Sequence, residues 1–553
     1  MNDILRLICI GVLLYSLLIL WQRWEKWPPN SATGGATVSA GGEIRPDATD
    51  EDAPPVPTQT LSAGGEVRAI PAAAESGEVF TAETDQVLAA IDGGGGNLVS
   101  LRLKNHRDTE GADFALFEDG RRRHGAQSGL IGGDFPDHRA SFTPLNSDAN
   151  SRLGEGADLL TVALAAEGGG VRLIKRYIFG RGDDIIRLEL EARNIGDSAV
   201  FPKGYFQLFH NGALSEQESS FLPSFFGAAV FTDAEKFQKI EYDEIGAEPF
   251  PQKSADGWIG FIQRYFAAVW LPEGDAEREY YMRARASGGD ARIGVIVPFG
   301  EISPGAQKTI SMRLFAGAQE QNVLNVLNEE KIAPGVHLVV DYGWLTFIAV
   351  PLFKLLAFIQ TYAGNWGLSV ILLTFLIKLA FYPLSSVSYR SIARMKELSP
   401  RIKNLQEIHG SDKQKLQQAM MALYREKKIN PLGGCLPVLL QIPVFIALYW
   451  VILGSVELRH APFYLWIDDL SASDPFFVLP LLMGAAMFLQ TRMSPTPPDP
   501  TQALIIKIMP LFFTAFSLFF PAGLVLYWLV NTLLSIAQQW HISRAIGRAK
   551  GGG

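Results

Sequence analysis

Residues 366–384 read WGLSVILLTFLIKLAFYPL, an apolar run with one ionisable side chain well inside it, Lys378. A bilayer core about 30 Å thick takes roughly 20 apolar residues in a helix, so the run predicts a membrane span carrying a buried charge. Just upstream, 344–362 is apolar too, and Gly364-Asn365 divides the two halves. The whole stretch is too long for one crossing. Its first half has Lys354 and Gln360 on a polar side and reads as an amphipathic helix lying in the membrane interface. Downstream come apolar runs at 432–454, 476–490, 504–520 and 524–540, the last two separated by Pro521-Ala522-Gly523. At the other end, 4–21 reads as an uncleaved anchor within residues 1–27. The small-residue triplet Val38-Ser39-Ala40 lies too far beyond it, past Trp21, Trp24 and Trp27, to be a leader cleavage site. The expectation is a polytopic α-helical membrane core with six spans in all. The 476–490 run makes only about 22 Å of helix and 508–520 less, which predicts local thinning of the bilayer.

Composition agrees with this division. Of the 553 residues 48% are hydrophobic and 19% charged, against about 25% charged in a soluble domain. The net charge of −8 hides a split: residues 22–342 hold 47 acidic and 30 basic groups (net −17), and the rest of the chain is +9. An acidic block set into a basic, apolar one argues against a soluble cytosolic enzyme. Two cysteines, Cys9 and Cys435, argue against a disulfide scaffold, and the absence of a strongly basic soluble domain argues against broad nucleic-acid binding. Basic loop residues set orientation. The 385–431 loop, with 10 basic and 4 acidic residues, faces the cytoplasm; 455–475, with Arg459 alone, faces out; Arg544, Arg548 and Lys550 place the tail inside. Six spans then put both termini in the cytoplasm and residues 28–342 outside.

The outside block opens with a Pro-, Gly-, Ala- and Ser-rich tether, 28–75, that reads as disordered. Beyond it Ile186, Leu188, Leu190 and Ala192 alternate with charged residues, as Val99, Leu101 and Leu103 alternate with polar ones. Together with glycine-rich turns this predicts a large extracytoplasmic all-β sandwich over 76–330, ending in a short helix near 321–328. His106, His124, His138 and His210 have no ligand spacing, and Arg121-Arg122-Arg123 reads as a solvated loop. No active site, metal or cofactor is expected.

The cytoplasmic loop predicts a helical hairpin over 387–429. Ile392, Met395, Leu398, Ile402, Leu405 and Ile408 make one stripe and Leu416, Met420 and Leu423 the other, with Ser411 or Asp412 as N-cap between them. The stripes can simply pack on each other. The basic outside can rest on anionic lipid or reach a partner such as a ribosome, and Met395, Met420 and Met421 suit a yielding contact.

A lysine at the bilayer centre costs about 2.5–3.5 kcal/mol on insertion scales. Lys378 either snorkels to the cytoplasmic edge or faces a hydrated cavity open to the cytoplasm. Thr374, one turn earlier on the same face, would line that cavity together with Gln441, Asn531 and Thr532 from other spans. The spans have no interior Asp or Glu to pair with it, and no protease set. Without inverted repeats a secondary transporter or channel remains only the alternative.

Several motifs carry a resemblance: Tyr342-Gly-Trp-Leu345, Gly364-Asn-Trp-Gly367, Tyr382-Pro-Leu384, Asn430-Pro-Leu-Gly-Gly-Cys435, the stretch 454–475 and Pro521-Ala-Gly-Leu-Val-Leu-Tyr527. Across about 335–546 the chain resembles the YidC-type membrane protein insertases in their long Gram-negative form, whose anchor and periplasmic β-domain it matches in architecture. The resemblance implies an insertase and chaperone of the bacterial inner membrane. It would insert nascent membrane proteins, alone or with the Sec translocon, through a cytoplasm-open hydrophilic groove, without a nucleotide of its own. The groove's single positive residue, usually arginine in the family, falls on Lys378, which keeps the charge without the guanidinium fork. Substrate-contacting positions fall on Thr374, Tyr527 and Trp528; the family commonly has a second tyrosine where Trp528 stands. The tail after Arg548 is short, which weakens any ribosome contact there. A monomer suffices.

Overall fold

The computed structural model describes residues 77–145, 150–213, 225–247, 250, 252–283, 290–409, 413–427, 436–493 and 500–551. The anchor, the tether, Cys9, Cys435, Ser411 and Asp412 lie outside them.

Residues 79–318 form two sheets, of ten and nine strands among the described residues. One runs from Gln252–Ser254 at one edge, through the central strands Lys203–His210 and Arg123–Ile131, to Asn150–Arg152 at the other; the second runs from Lys236–Glu241 through Phe266–Pro272, Gln307–Ala318 and Ile185–Asn194 to Thr143–Pro144. Pairing is antiparallel except between Val79–Glu83 and Asn150–Arg152. The core lies between the sheets, where the Phe206 and Trp270 rings meet at 5.5 Å. Strand 185–194 follows the predicted alternation: Ile186, Leu188, Leu190 and Ala192 are all buried.

Three details of this domain depart from sequence expectation. Leu98, not Val99, points inward with Leu101 and Leu103. Ser100 pairs with Ala90 and Leu98 with Ile91, so Val99 is the extra residue of a bulge that resets the alternation. Arg122 is not solvated: it is 7% exposed, its Nε donates to Glu118 Oε1 at 2.8 Å, and its guanidinium lies 5.5 Å from the Phe114 ring. His124 and His210 are direct cross-strand partners with rings 4.7 Å apart, though no group of three metal-ligating side chains forms among the described residues. Burial holds His210 down at about 3, with Arg122 adding to the effect.

After the sheets come α1 (Gln321–Glu329), α2 (Thr346–Ala363), α3 (Trp366–Ala380), α4 (Tyr382–Glu397), α5 (Ser399–His409), α6 (Lys413–Glu426), α7 (Leu436–Gly454), α8 (Val478–Met493), α9 (Pro500–Ser517) and α10 (Ala522–Gly551). The helix that starts in the 366–384 run stops at Ala380, and α4 leaves at 68°. Pro383 explains the break. It has no N–H for the Leu379 carbonyl, its ring crowds that carbonyl, and it is well tolerated in the first turn of a new helix. The first arm of the cytoplasmic hairpin is likewise divided, at Leu398, into α4 and α5. Leu398, Leu423 and Tyr424 close a small core there with Met395, Ile402, Leu405, Met420 and Met421. Helix α9 has 18 residues and starts at Pro500, but its apolar part, Ala503–Ser517, is short, as is α8 with 16 residues.

Ala349, Phe353 and Leu356 of α2, Val370 and Leu373 of α3, Ala447, Leu448 and Val451 of α7, and Leu524 and Val525 of α10 form a second core. Around it the outward faces stay apolar: Phe375 and Leu379, Leu481 and Phe488, Leu511 and Phe512 are all exposed. A helical bundle with such a coat has hydrocarbon, not water, as its solvent. By length and composition 343–363 could itself cross a membrane, as could the bent pair α3–α4.

The β-domain is packed onto this bundle through the segment after α7. Val456 is buried in the sandwich core. Arg459 lies 5.3 Å from the Phe114 ring and 5.4 Å from Phe266, and its guanidinium donates to the Arg107 carbonyl. At the start of α1 the Gln321 N–H donates to Glu457 Oε1 at 3.0 Å, the Gln321 amide reaches the Tyr342 hydroxyl, and that hydroxyl lies 3.0 Å from Ser455 Oγ. Burial raises the Glu457 carboxyl to about 7 despite the N–H bonds it accepts.

Candidate functional site

Helices α3, α7 and α10 bring a buried charge, Lys378, into a polar cluster. The Gly364 turn, in left-handed conformation at φ 63°, ends α2. Asn365 then caps α3, its side chain accepting from Leu368 N at 2.9 Å. From there an uninterrupted apolar helix carries Lys378 to its last turn. The side chain is 8% exposed. Its ammonium donates to Ser535 Oγ at 2.8 Å and to Gln441 Oε1 at 3.4 Å. The Gln441 amide in turn donates to Asn531 Oδ1, and Ser535 Oγ donates to the Asn531 carbonyl at 2.7 Å. On α10 Tyr527, Asn531 and Ser535 stand four residues apart and so share a face.

Of the residues singled out by sequence, Lys378, Gln441 and Asn531 are in direct sequence of contact. Tyr527 lies one turn before Asn531, is buried, and its hydroxyl has no hydrogen bond of good geometry. Trp528 is half-buried between Phe445 and Phe513, each 4.9 Å away ring to ring. Thr374 is buried, but its hydroxyl turns back to the Val370 carbonyl at 2.6 Å and contributes no free donor. Ser535 was not anticipated. A lone serine in an apolar helix usually satisfies itself on the carbonyl four residues back; this one does so and still accepts from Lys378. The signal available was its i+4 spacing from Asn531. The Gln538 amide, 3.5 Å from the Lys378 carbonyl, extends the cluster one turn further.

The arrangement supplies a cation solvated by neutral oxygens, with no carboxylate among its hydrogen-bond partners. Such a centre attracts acidic or polar chain without forming a tight ion pair, and no group of three metal-ligating side chains forms among the described residues.

Comparison with known proteins covers both halves of the chain. A family described as 60Kd inner membrane protein matches residues 358–549, and one described as YidC periplasmic domain matches 80–355. The chain is 45% identical over 557 residues to the membrane protein insertase YidC of Methylobacillus flagellatus, covering 99% of this chain and 98% of that one. It is 44% identical over 561 residues to that of Cupriavidus necator, covering 99% of each. A solved structure of an active YidC insertase with its first transmembrane domain resolved aligns over 84% of this chain and 92% of that chain, at 18% identity and a TM-score of 0.40.

Proposed function

This chain belongs to the YidC family of membrane protein insertases, and from that premise we propose that it receives nascent inner-membrane proteins at the Lys378 cluster and releases their apolar segments into the bilayer. The observation that carries the reading is the contact of Lys378 with Ser535 and Gln441, a charge from one helix solvated by the polar side chains of two others. The polar flank of a substrate competes for those hydrogen bonds. Its apolar segment passes along Tyr527 and Trp528 to the exposed apolar faces of α8 and α9. Apolar burial, and for acidic flanks the membrane potential, supply the drive.

The proposed topology has six spans: an anchor in residues 1–27, then α3, α7, α8, α9 and α10. Helix α2 lies in the outer interface. Two arguments favour this over a seventh crossing. Lys354 is exposed at the middle of α2, where a lipid-facing charge would cost about 2.5–3.5 kcal/mol. A crossing by α2 followed by one by α3 would also return the ten basic residues of 385–431 to the same side as the acidic β-domain. Both termini are then cytoplasmic and 28–342 periplasmic. The basic hairpin is placed to meet a ribosome or anionic lipid, and the chain works as a monomer, alone or with the Sec translocon.

The test is water access at position 378. A Lys378→Cys variant lacking Cys9 and Cys435 should react with a membrane-impermeant thiol reagent from the cytoplasm and not from outside. Reaction from both sides would favour a channel or transporter. No reaction from either side, with a cysteine at Ser385 reactive, would overturn the groove.

A further inference from the structure

We propose that the cleft between the β-domain and α2 binds the headgroup of an anionic phospholipid from the outer leaflet. The inference rests on α2 lying in that interface. The cleft has a volume of about 640 Å³ and is lined by Lys239 and His337 on the domain side and by Thr346, Val350 and Lys354 of α2. The three α2 residues are four apart and form one face. Its charged lining residues are Lys239, Lys354 and Asp341, a net positive charge with His337 neutral. Lys239 is held in place: its Nζ lies 3.0 Å from Asp341 Oδ2 and 4.8 Å from the Phe225 ring. Lys354 is exposed and makes no ion pair among the described residues, so the uncompensated charge belongs to it. An anion therefore gains from Lys354, with Lys239 as a second donor.

A phospholipid fits better than a free anion. Leu324, Leu338 and Val350 give the cleft apolar walls that suit glycerol and the upper acyl chain. Trp344 and Phe347, both more than two-thirds exposed at the start of α2, mark the depth at which headgroups sit. The shared chemistry is a phosphate oxygen meeting lysine ammonium groups.

The full-length protein in detergent would be titrated with phosphatidylglycerol and with phosphatidylcholine, and bound lipid counted by native mass spectrometry. Wild type should retain phosphatidylglycerol in preference. Lys354→Gln should weaken that retention about fivefold, the scale of one surface cation, and Lys354→Glu more. Equal retention of the two lipids, or indifference to both variants, would overturn the site; displacement by inorganic phosphate would overturn the lipid as its ligand. Labelling of Lys354→Cys with an impermeant thiol reagent tests the premise separately. Reaction from outside upholds the placement of α2 whatever the lipid result, whereas reaction from the cytoplasm alone, or none, overturns both.

Discussion

Lys378 Nζ on α3 and Ser535 Oγ on α10 lie 2.8 Å apart across the bundle, the shorter of the two hydrogen bonds that solvate the buried ammonium. Hydrogen bonds to a charged group contribute about 1.5–3 kcal/mol. Ser535→Ala should therefore lower stability in detergent by about 2 kcal/mol and reduce insertion of a substrate with a polar exported flank, as read by protease protection. Lys378→Met removes the charge together with its need for partners. It should retain or raise thermal stability while losing insertion, and a variant that lost both equally would argue for a purely structural lysine.

Glu457 provides a pH dependence. Burial raises its carboxyl to about 7 from the ordinary 4.5, so the folded state holds the proton more tightly than the unfolded chain. The stability this contributes is complete below pH 4.5 and is lost as pH rises through about 7. The shift corresponds to about 3 kcal/mol. Glu457→Gln keeps the acceptor for the Gln321 N–H and cannot ionise. Its melting temperature should match wild type at pH 4.5 and exceed it at pH 8, which thermal scans of the full chain at both values would check.

Gly367 is the second residue of α3, where the segment after α7 packs against it. A Cβ there would run into the Phe463 ring, and Asn365 Nδ2 donates to the Pro462 carbonyl at 3.0 Å beside it. Overpacking costs about 1–3 kcal/mol. Gly367→Ala should destabilise within that range and Gly367→Val beyond it, with faster amide exchange at 461–467 in hydrogen–deuterium measurements.

Arg459→Ala should loosen the β-domain from the bundle without unfolding either. The side chain is shared between Phe114, Phe266 and the Arg107 carbonyl, and partly desolvated cation–π contacts contribute about 1–2 kcal/mol. Faster proteolysis between residues 318 and 346, with the β-domain's own resistance unchanged, is the expected result. Unchanged cleavage would mean that the hydrogen bonds around Gln321 suffice.

Lys378, Gln441 and Asn531 could be grouped from sequence because a charge in an apolar run demands polar partners and those spans offer few. The half-buried strand at 186–192 was legible because period-two alternation reports burial directly. What could not be read depended on contacts between distant segments. Val99 falls out of phase because its partner strand lacks the matching residue. Arg122 is buried because Glu118 and Phe114 stand where it turns. Thr374 is buried one turn before Lys378, but its hydroxyl answers to its own helix. Pro383 was in plain view as a signal for the break after Ala380, yet the apolar run continues through it and hydropathy alone extends the span. Arg459 is, by sequence, only the one basic residue of 455–475; its place against two phenylalanines requires the β-domain to be folded beside it.

Val456 completes the interior of the β-sandwich, yet it follows the last strand, Gln307–Ala318, by well over a hundred residues, with α2 to α7 in between. During synthesis the sandwich is exported and can collapse long before that side chain exists. That buried position is filled only once the chain after α7 has been made. The assembly thus has an order written into it. The β-domain therefore depends for one of its buried side chains on chain made after α7, and a truncation ending before Val456 would leave it without that side chain.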